Sequence, residues 1–190
     1  MTAQRFPQAR IWATDVSEQA ISIATSNVLQ SPFCKRITCY KEDIKESAAR
    51  ITAGSLDLLI SNPPYYTAGP IGTGSPERDL ARSGKVGFSS LSLFPLAHRL
   101  LAPGGRMALI TPANQLPQLR IAAARSLLSL YRSCSIAPFP DSDFTVQLTE
   151  WGHSSPPGLQ TEYTQLAIRT VQGTYTEEFK LLTQAFYLNL

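Results

Sequence analysis

Glycine is absent from the first 53 residues, and the earliest is Gly54. That stretch therefore holds no glycine-rich loop of the kind that cradles a nucleotide cofactor between a strand and its helix. Long apolar runs are missing too. None approaches the roughly 18 residues that a membrane-spanning helix requires, and residues 1–10 lack the apolar centre of a signal peptide. A cytoplasmic chain without membrane attachment is expected. Cysteine is scarce and odd in number: Cys34, Cys39 and Cys134 have no metal-ligand spacing, so reduced structural thiols and no bound metal are expected. The two histidines, His98 and His153, have no partner in the sequence that points to metal binding or nucleophilic catalysis. Charge is modest as well, with 17 basic against 14 acidic residues and a net +3. A chain of 190 residues with 43% hydrophobic content can bury a substantial core, and a single domain over residues 1–190, working as a monomer, is expected.

What is present is a rhythm of short apolar segments. Residues 9–16 read as a strand closing on Asp15, with Val16 beyond it and Ser17 near the cap of a helix running to about Gln30. Residues 37–40 make a second strand, followed by Glu42, Asp43 and Ile44. Residues 56–60 are continuously apolar between Gly54 and a proline pair, which suits a parallel strand buried on both faces. Residues 91–101 form an amphipathic helix stopped by Ala102-Pro103-Gly104-Gly105, and residues 106–110 are the next buried strand. This alternation, from Ile11 to about Leu130, predicts an α/β doubly wound, mostly parallel sheet. Past Leu130 the pattern weakens. Residues 131–138 are a candidate strand, 152–158 a loop by composition, and 165–171 a candidate antiparallel edge strand. Residues 177–188 read as a helix with Phe179, Leu182, Phe186 and Tyr187 on one side, a spacing usual for core.

The chemistry concentrates where the strand at 56–60 ends, in Asn62-Pro63-Pro64-Tyr65. Open α/β sheets bind ligands at the carboxyl ends of their strands. An exocyclic amine on adenine is a poor nucleophile because its lone pair is delocalised into the ring, and acceptors for its two N–H groups weaken that conjugation. The side-chain carbonyl of Asn62 is one acceptor. The backbone carbonyl of Pro63 is a second, held by a turn that two consecutive prolines stiffen. Tyr65 offers a ring on which a flipped-out base stacks. The same four residues also fit a plain strand terminator. Asp15, at a strand end, is placed to accept from both ribose hydroxyls of an adenosine-containing cofactor, or else to serve a helix start. Asp43 is placed to accept from the cofactor's adenine amine, with Ile44 packed on the ring, although adjacent acids on a loop are commonly just solvated.

Together these residues resemble the class I S-adenosylmethionine-dependent methyltransferases, and within them the tRNA1(Val) (adenine-37-N6)-methyltransferase family. The resemblance covers the strand ending in Asp15, the Gln30-Ser31-Pro32-Phe33 turn, the run from Ser61 to Tyr66, Glu77-Arg78 and Ala81-Arg82, and the ending from Tyr175 through Leu188. It implies a Rossmann-like sheet with an antiparallel edge strand. It also implies S-adenosylmethionine as cofactor and tRNA as substrate. Asn62, Pro63, Pro64 and Tyr65 become the target-amine site, Asp15 and Val16 the ribose contact, and Asp43 and Ile44 the adenine contact, with Asn62 also beside the cofactor. The family opens with a strand and glycine-rich loop that this chain lacks, so the first strand and helix are expected to be missing. Gly69, Gly72 and Gly74 follow the Asn-Pro-Pro-Tyr run and read instead as a substrate-side loop. Arg78, Arg82 and Lys85, with Tyr66, are candidates for contacts to RNA flanking a flipped base, or are solvated loop charges.

Three functions fit these residues: N6-methylation of adenine in tRNA, N5-methylation of a protein glutamine, whose planar amide presents a similar N–H pair, and an inactive fragment or RNA-binding pseudoenzyme. The ending Leu182-Thr183-Gln184-Ala185-Phe186-Tyr187 favours RNA over the glutamine acceptor.

Overall fold

The computed structural model describes residues 1–63, 89–153 and 160–187. The chain forms two compact units, Met1–Thr52 and Ala53–Leu190.

The first unit is a strand–helix–strand arrangement with a further helix. After a short helix α1 (Thr2–Arg5), strand β1 (Ile11–Asp15) leads into α2 (Glu18–Leu29), and β2 (Ile37–Lys41) leads into α3 (Ile44–Arg50). The strands pair in parallel, from Ile11 opposite Ile37 to Asp15 opposite Lys41. Helix α2 starts where the Ser17 hydroxyl accepts from the N–H of Ala20 at 3.2 Å. It stops before Pro32, with the Ser31 hydroxyl donating to the carbonyl of Val28 at 2.8 Å. The Arg36 guanidinium donates to the carbonyls of Ala3, Phe6 and Ala9 at 2.7, 3.1 and 2.9 Å, fastening the amino-terminal segment to β2.

The second unit carries a five-stranded mixed sheet. Its elements are β3 (Leu56–Ser61), α4 (Leu93–Leu100), β4 (Leu101–Pro112), α5 (Leu116–Arg125), β5 (Leu128–Ala137), β6 (Val146–His153), β7 (Glu162–Ala167) and α6 (Glu177–Thr183). The strand order is β3-β4-β6-β5-β7. Strand β6 runs antiparallel to both β4 and β5, while β3 pairs with β4 and β7 with β5 in parallel. One apolar row crosses the sheet through Met107, Trp151 and Leu130. Helix α4 lays Leu93, Phe94, Ala97 and Leu100 inward, and the Phe94 ring meets Trp151 edge-on at 5.1 Å. Beside this row several polar side chains are paired. Gln147 donates to Ser133 and accepts from Ser135, and the Trp151 indole donates to Thr149. Gly105 sits where β4 passes β3; a Cβ there would lie 2.6 Å from the carbonyl oxygen of Leu56, so the close approach requires glycine.

Four expectations change. The antiparallel strand is β6, inside the sheet, and the edge strand β7 runs parallel to β5 and ends at Ala167. Residues 152 and 153, read as loop, finish β6, because its pairing with β5 extends to Leu128 opposite His153. Strand β3 is not buried on both faces: Leu59 is covered but Ile60, pointing to the opposite face, is 55% exposed. The last helix ends at Thr183 rather than 188, leaving Phe186 and Tyr187 beyond it; Leu182 and Tyr187 are exposed, and Phe179 and Phe186 are only half-buried, so that stripe is not core.

Replacing Phe94 with Ala should lower the unfolding free energy by about 3–5 kcal/mol, through lost burial and the cavity left against Trp151. Urea unfolding of the full chain measures this, and a loss below about 1 kcal/mol would mean that α4 is not seated on the sheet as described.

Candidate functional site

In the first unit, parallel pairing sets the carboxyl ends of β1 and β2 side by side, and two acidic turns leave from them. Asp15 is exposed and closes β1; its Oδ1 accepts the backbone N–H of Ser17 at 2.8 Å, which shapes the turn into α2. Val16, just past it, is 57% exposed. Asp43 is half-buried and caps α3. Its side chain accepts from the N–H of Lys45 at 2.7 Å, and the Glu46 carboxylate accepts in return from the N–H of Asp43. Ile44, half-buried, opens the helix.

Glu42 lies between these turns and was not singled out in the sequence. Its backbone N–H donates to the carbonyl of Asp15 at 3.1 Å. Its carboxylate accepts from the Ser47 hydroxyl, from the Arg50 guanidinium and, at a longer 3.4 Å, from the Trp12 indole. Trp12 and Tyr40 stack with centroids 4.5 Å apart, and Arg50 lies over both rings. The Ser47 hydroxyl above all, then Arg50 and Trp12, holds the Glu42 carboxyl below its usual range against the opposing effect of desolvation. Glu18 is lowered by Lys41, which donates to it at 2.6 Å. A signal for Glu42 was available: Ser47 and Arg50 are three residues apart, hence on one face of α3.

In the second unit, Asn62 follows β3 directly and is exposed, whereas Pro63 is buried. At the end of the neighbouring strand β4, the Thr111 hydroxyl is buried with no partner among the described residues. Pro64, Tyr65, Tyr66, Arg78, Arg82, Lys85 and the glycines at 69, 72 and 74 lie outside the described residues. His98 and His153 pack edge-on at 5.3 Å, with His153 Nε2 3.1 Å from the carbonyl of Leu101. Among the described residues there is no group of three or more candidate metal ligands, and no helix is long and apolar enough to cross a membrane.

No protein-family model matches the chain. A tRNA1(Val) (adenine(37)-N6)-methyltransferase of Porphyromonas gingivalis is 33% identical over 190 residues, spanning 98% of this chain and 74% of its own length. The chain belongs to the tRNA1(Val) (adenine(37)-N6)-methyltransferase family. A member from Vibrio cholerae is also 33% identical, over 192 residues, spanning 100% of this chain and 75% of the relative. Among solved structures, one described as a predicted O-methyltransferase from Agrobacterium tumefaciens matches with a TM-score of 0.67 at 17% identity, over 96% of this chain and 80% of that one. A geranyl diphosphate C-methyltransferase from Streptomyces coelicolor gives 0.53 at 12% identity, over 80% and 64%. These likenesses show the α/β methyltransferase fold. The chain spans about three quarters of the length of these two relatives.

The acidic turns fit the adenosine end of S-adenosylmethionine by donor chemistry. Ribose hydroxyls and an adenine amine present donors, and Asp15 and Asp43 are acceptors on adjacent strand ends, each oxygen able to take more than one donor.

Both lowered carboxyls have folded values beneath the usual 4.5. Their contribution to stability is therefore complete above about pH 4.5 and is lost as the pH falls through each folded value. Unfolding free energy followed from neutral pH into the acid range should show this loss, and Glu42→Gln should flatten it. Glu18, 81% exposed on its side chain, should matter little. An unaltered acid limb in Glu42→Gln would mean that the carboxylate gains nothing from its partners.

Proposed function

We propose that this chain is an S-adenosylmethionine-dependent methyltransferase acting on N6 of adenine in tRNA, adenine 37 of tRNA1(Val), with both units parts of one cytoplasmic methyltransferase domain working as a monomer. The observation that carries this reading is the match to family members over 98–100% of the chain. Asn62, exposed at the carboxyl end of β3, adds chemical support.

S-adenosylmethionine supplies a methyl group on a sulfonium, an already activated leaving group. Asp15 would hold the ribose hydroxyls, with Val16 beside them. Asp43 would accept from the adenine amine of the cofactor, with Ile44 against the ring. The Asn62 side-chain carbonyl would accept one N–H of the target amine and the Pro63 backbone carbonyl the other, drawing the nitrogen lone pair out of conjugation. No strong general base is needed, because the amine proton leaves to solvent after transfer. Pro64 stiffens the turn and Tyr65 stacks on the flipped target base. Tyr66, Arg78, Arg82 and Lys85 contact the flanking RNA, chiefly at phosphates.

Methyl transfer to tRNA1(Val), read with radiolabelled S-adenosylmethionine, tests the reading. Asn62→Ala should lower turnover on the order of 100-fold or more while cofactor affinity changes little. Retained turnover would remove Asn62 from the site. Asp15→Ala should instead weaken cofactor binding by on the order of 10–100-fold, the loss of charge-assisted hydrogen bonds. An unchanged affinity would remove Asp15.

A further inference from the structure

The acid between the two cofactor-facing turns touches neither ribose nor adenine in the proposed reading, yet more of the local structure converges on it than on Asp15 or Asp43. Glu42 binds Asp15 through its own backbone N–H, and it is covalently next to Asp43. Its side chain is only 11% exposed and joins three elements: Trp12 from β1, its own position after β2, and Ser47 and Arg50 from α3. Ser47 is fully buried, so its hydroxyl has no water to fall back on and depends on this acceptor. Arg50 reaches Glu42 from the last turn of α3 while lying over Trp12 and Tyr40, which sets the helix axis against both strands.

We infer that Glu42 is the positioning residue of the adenosine subsite: it fixes the turn at Asp43 relative to the turn at Asp15, and so decides whether the cofactor's adenine amine is read. The inference rests on the cofactor reading above and deepens it. Asp43 can discriminate an amine from a carbonyl only if its carboxylate is held at the right offset from the ribose contact. Its capping of α3 fixes it to that helix, and Glu42 is what fixes the helix and the turn to β1. An acceptor held in place rejects a ligand that presents a carbonyl where it expects a donor, whereas one free to shift does not.

The test is calorimetric binding of S-adenosylhomocysteine and of its hypoxanthine counterpart, S-inosylhomocysteine, to the full chain and its variants. The wild type should prefer the adenine ligand. Glu42→Gln, which keeps the shape and removes the charge, should reduce that preference by about tenfold, and Ser47→Ala, a small change at a buried site, should reduce it in the same direction by less. In an Asp43→Ala background, Glu42→Gln should leave the ratio unchanged, because the group it positions is gone. Equal weakening of both ligands by Glu42→Gln, with the preference intact, would overturn the inference and leave Glu42 a structural residue. A full further loss of preference in the Asp43→Ala background would overturn it as well. Binding of neither ligand to the wild type would overturn the cofactor reading itself and the role of Glu42 with it.

Discussion

Parallel pairing places the chemistry of this chain. With β1 and β2 running the same way and Asp15 level with Lys41, whatever follows each strand must emerge on the same side of the pair. Two acidic turns thereby become neighbours although Asp43 lies 28 positions after Asp15 in the chain. The second unit obeys the same rule. Strands β3, β4, β5 and β7 share one direction, so Asn62 leaves the sheet on the side where β4 ends in Thr111 and Pro112.

The two units keep their shape by different means. In the second, α4 and the row Met107, Trp151 and Leu130 bury large side chains, Gln147 pairs with Ser133 across strands, and Thr149 accepts from Trp151 within β6. In the first, the buried residues among those described are only Ala3, Ser47 and Ala48, and α2 buries none of its side chains. A segment of about 50 residues with so little core cannot lean on apolar burial alone. Directional contacts take that place: Arg36 collecting three carbonyls, the stacked Trp12 and Tyr40, and the carboxylate of Glu42 beneath Arg50. Such contacts depend on protonation and geometry, which ties the shape of the acidic turns to charge more closely than a packed core would.

Legibility in the sequence followed the same division. Strand ends and helix starts were readable where one residue type does one local job, Ser17 as a cap and the prolines after Asn62, whereas Gly104-Gly105, read as a stop before a strand at 106, lie inside β4, which begins at Leu101. The resemblance extended that reading to the cofactor and the substrate. Strand β6 was not readable, because an interior strand whose inward positions are Gln147, Thr149 and Trp151 shows no simple apolar alternation, and Gly152 looks like a loop when its place opposite Ser129 is unknown. The place of the antiparallel strand was equally hidden, since direction is set by pairing partners far apart in the chain. Phe179, Leu182, Phe186 and Tyr187 had the spacing of a buried stripe, but spacing says which residues share a face and not whether anything covers it. Glu42 was passed over because an acid beside another acid looks solvated until the helix that follows folds back over it.

The bases of this chain bear on how a nucleic acid would be held. A phosphate backbone is bound by cations that the fold has left available. Many of those described are engaged: Lys41 with Glu18, Arg50 with Glu42, Arg132 with Glu150 and Glu162, and Lys180 with Glu177. Others donate within the fold, Arg36 and Arg106 to carbonyls, Arg120 to Tyr163 and Arg169 to Gly173. Releasing one of these to a phosphate would exchange a contact rather than add one, and for Arg50 it would strand the carboxylate that orders the acidic turns. In the proposed reading the RNA contacts are given to Arg78, Arg82 and Lys85, which follow Asn62 to Tyr65 in a chain whose net charge is only +3. On the proposed reading the acids after β1 and β2 serve the cofactor's adenosine, and the bases that follow Tyr65 in the chain serve the RNA.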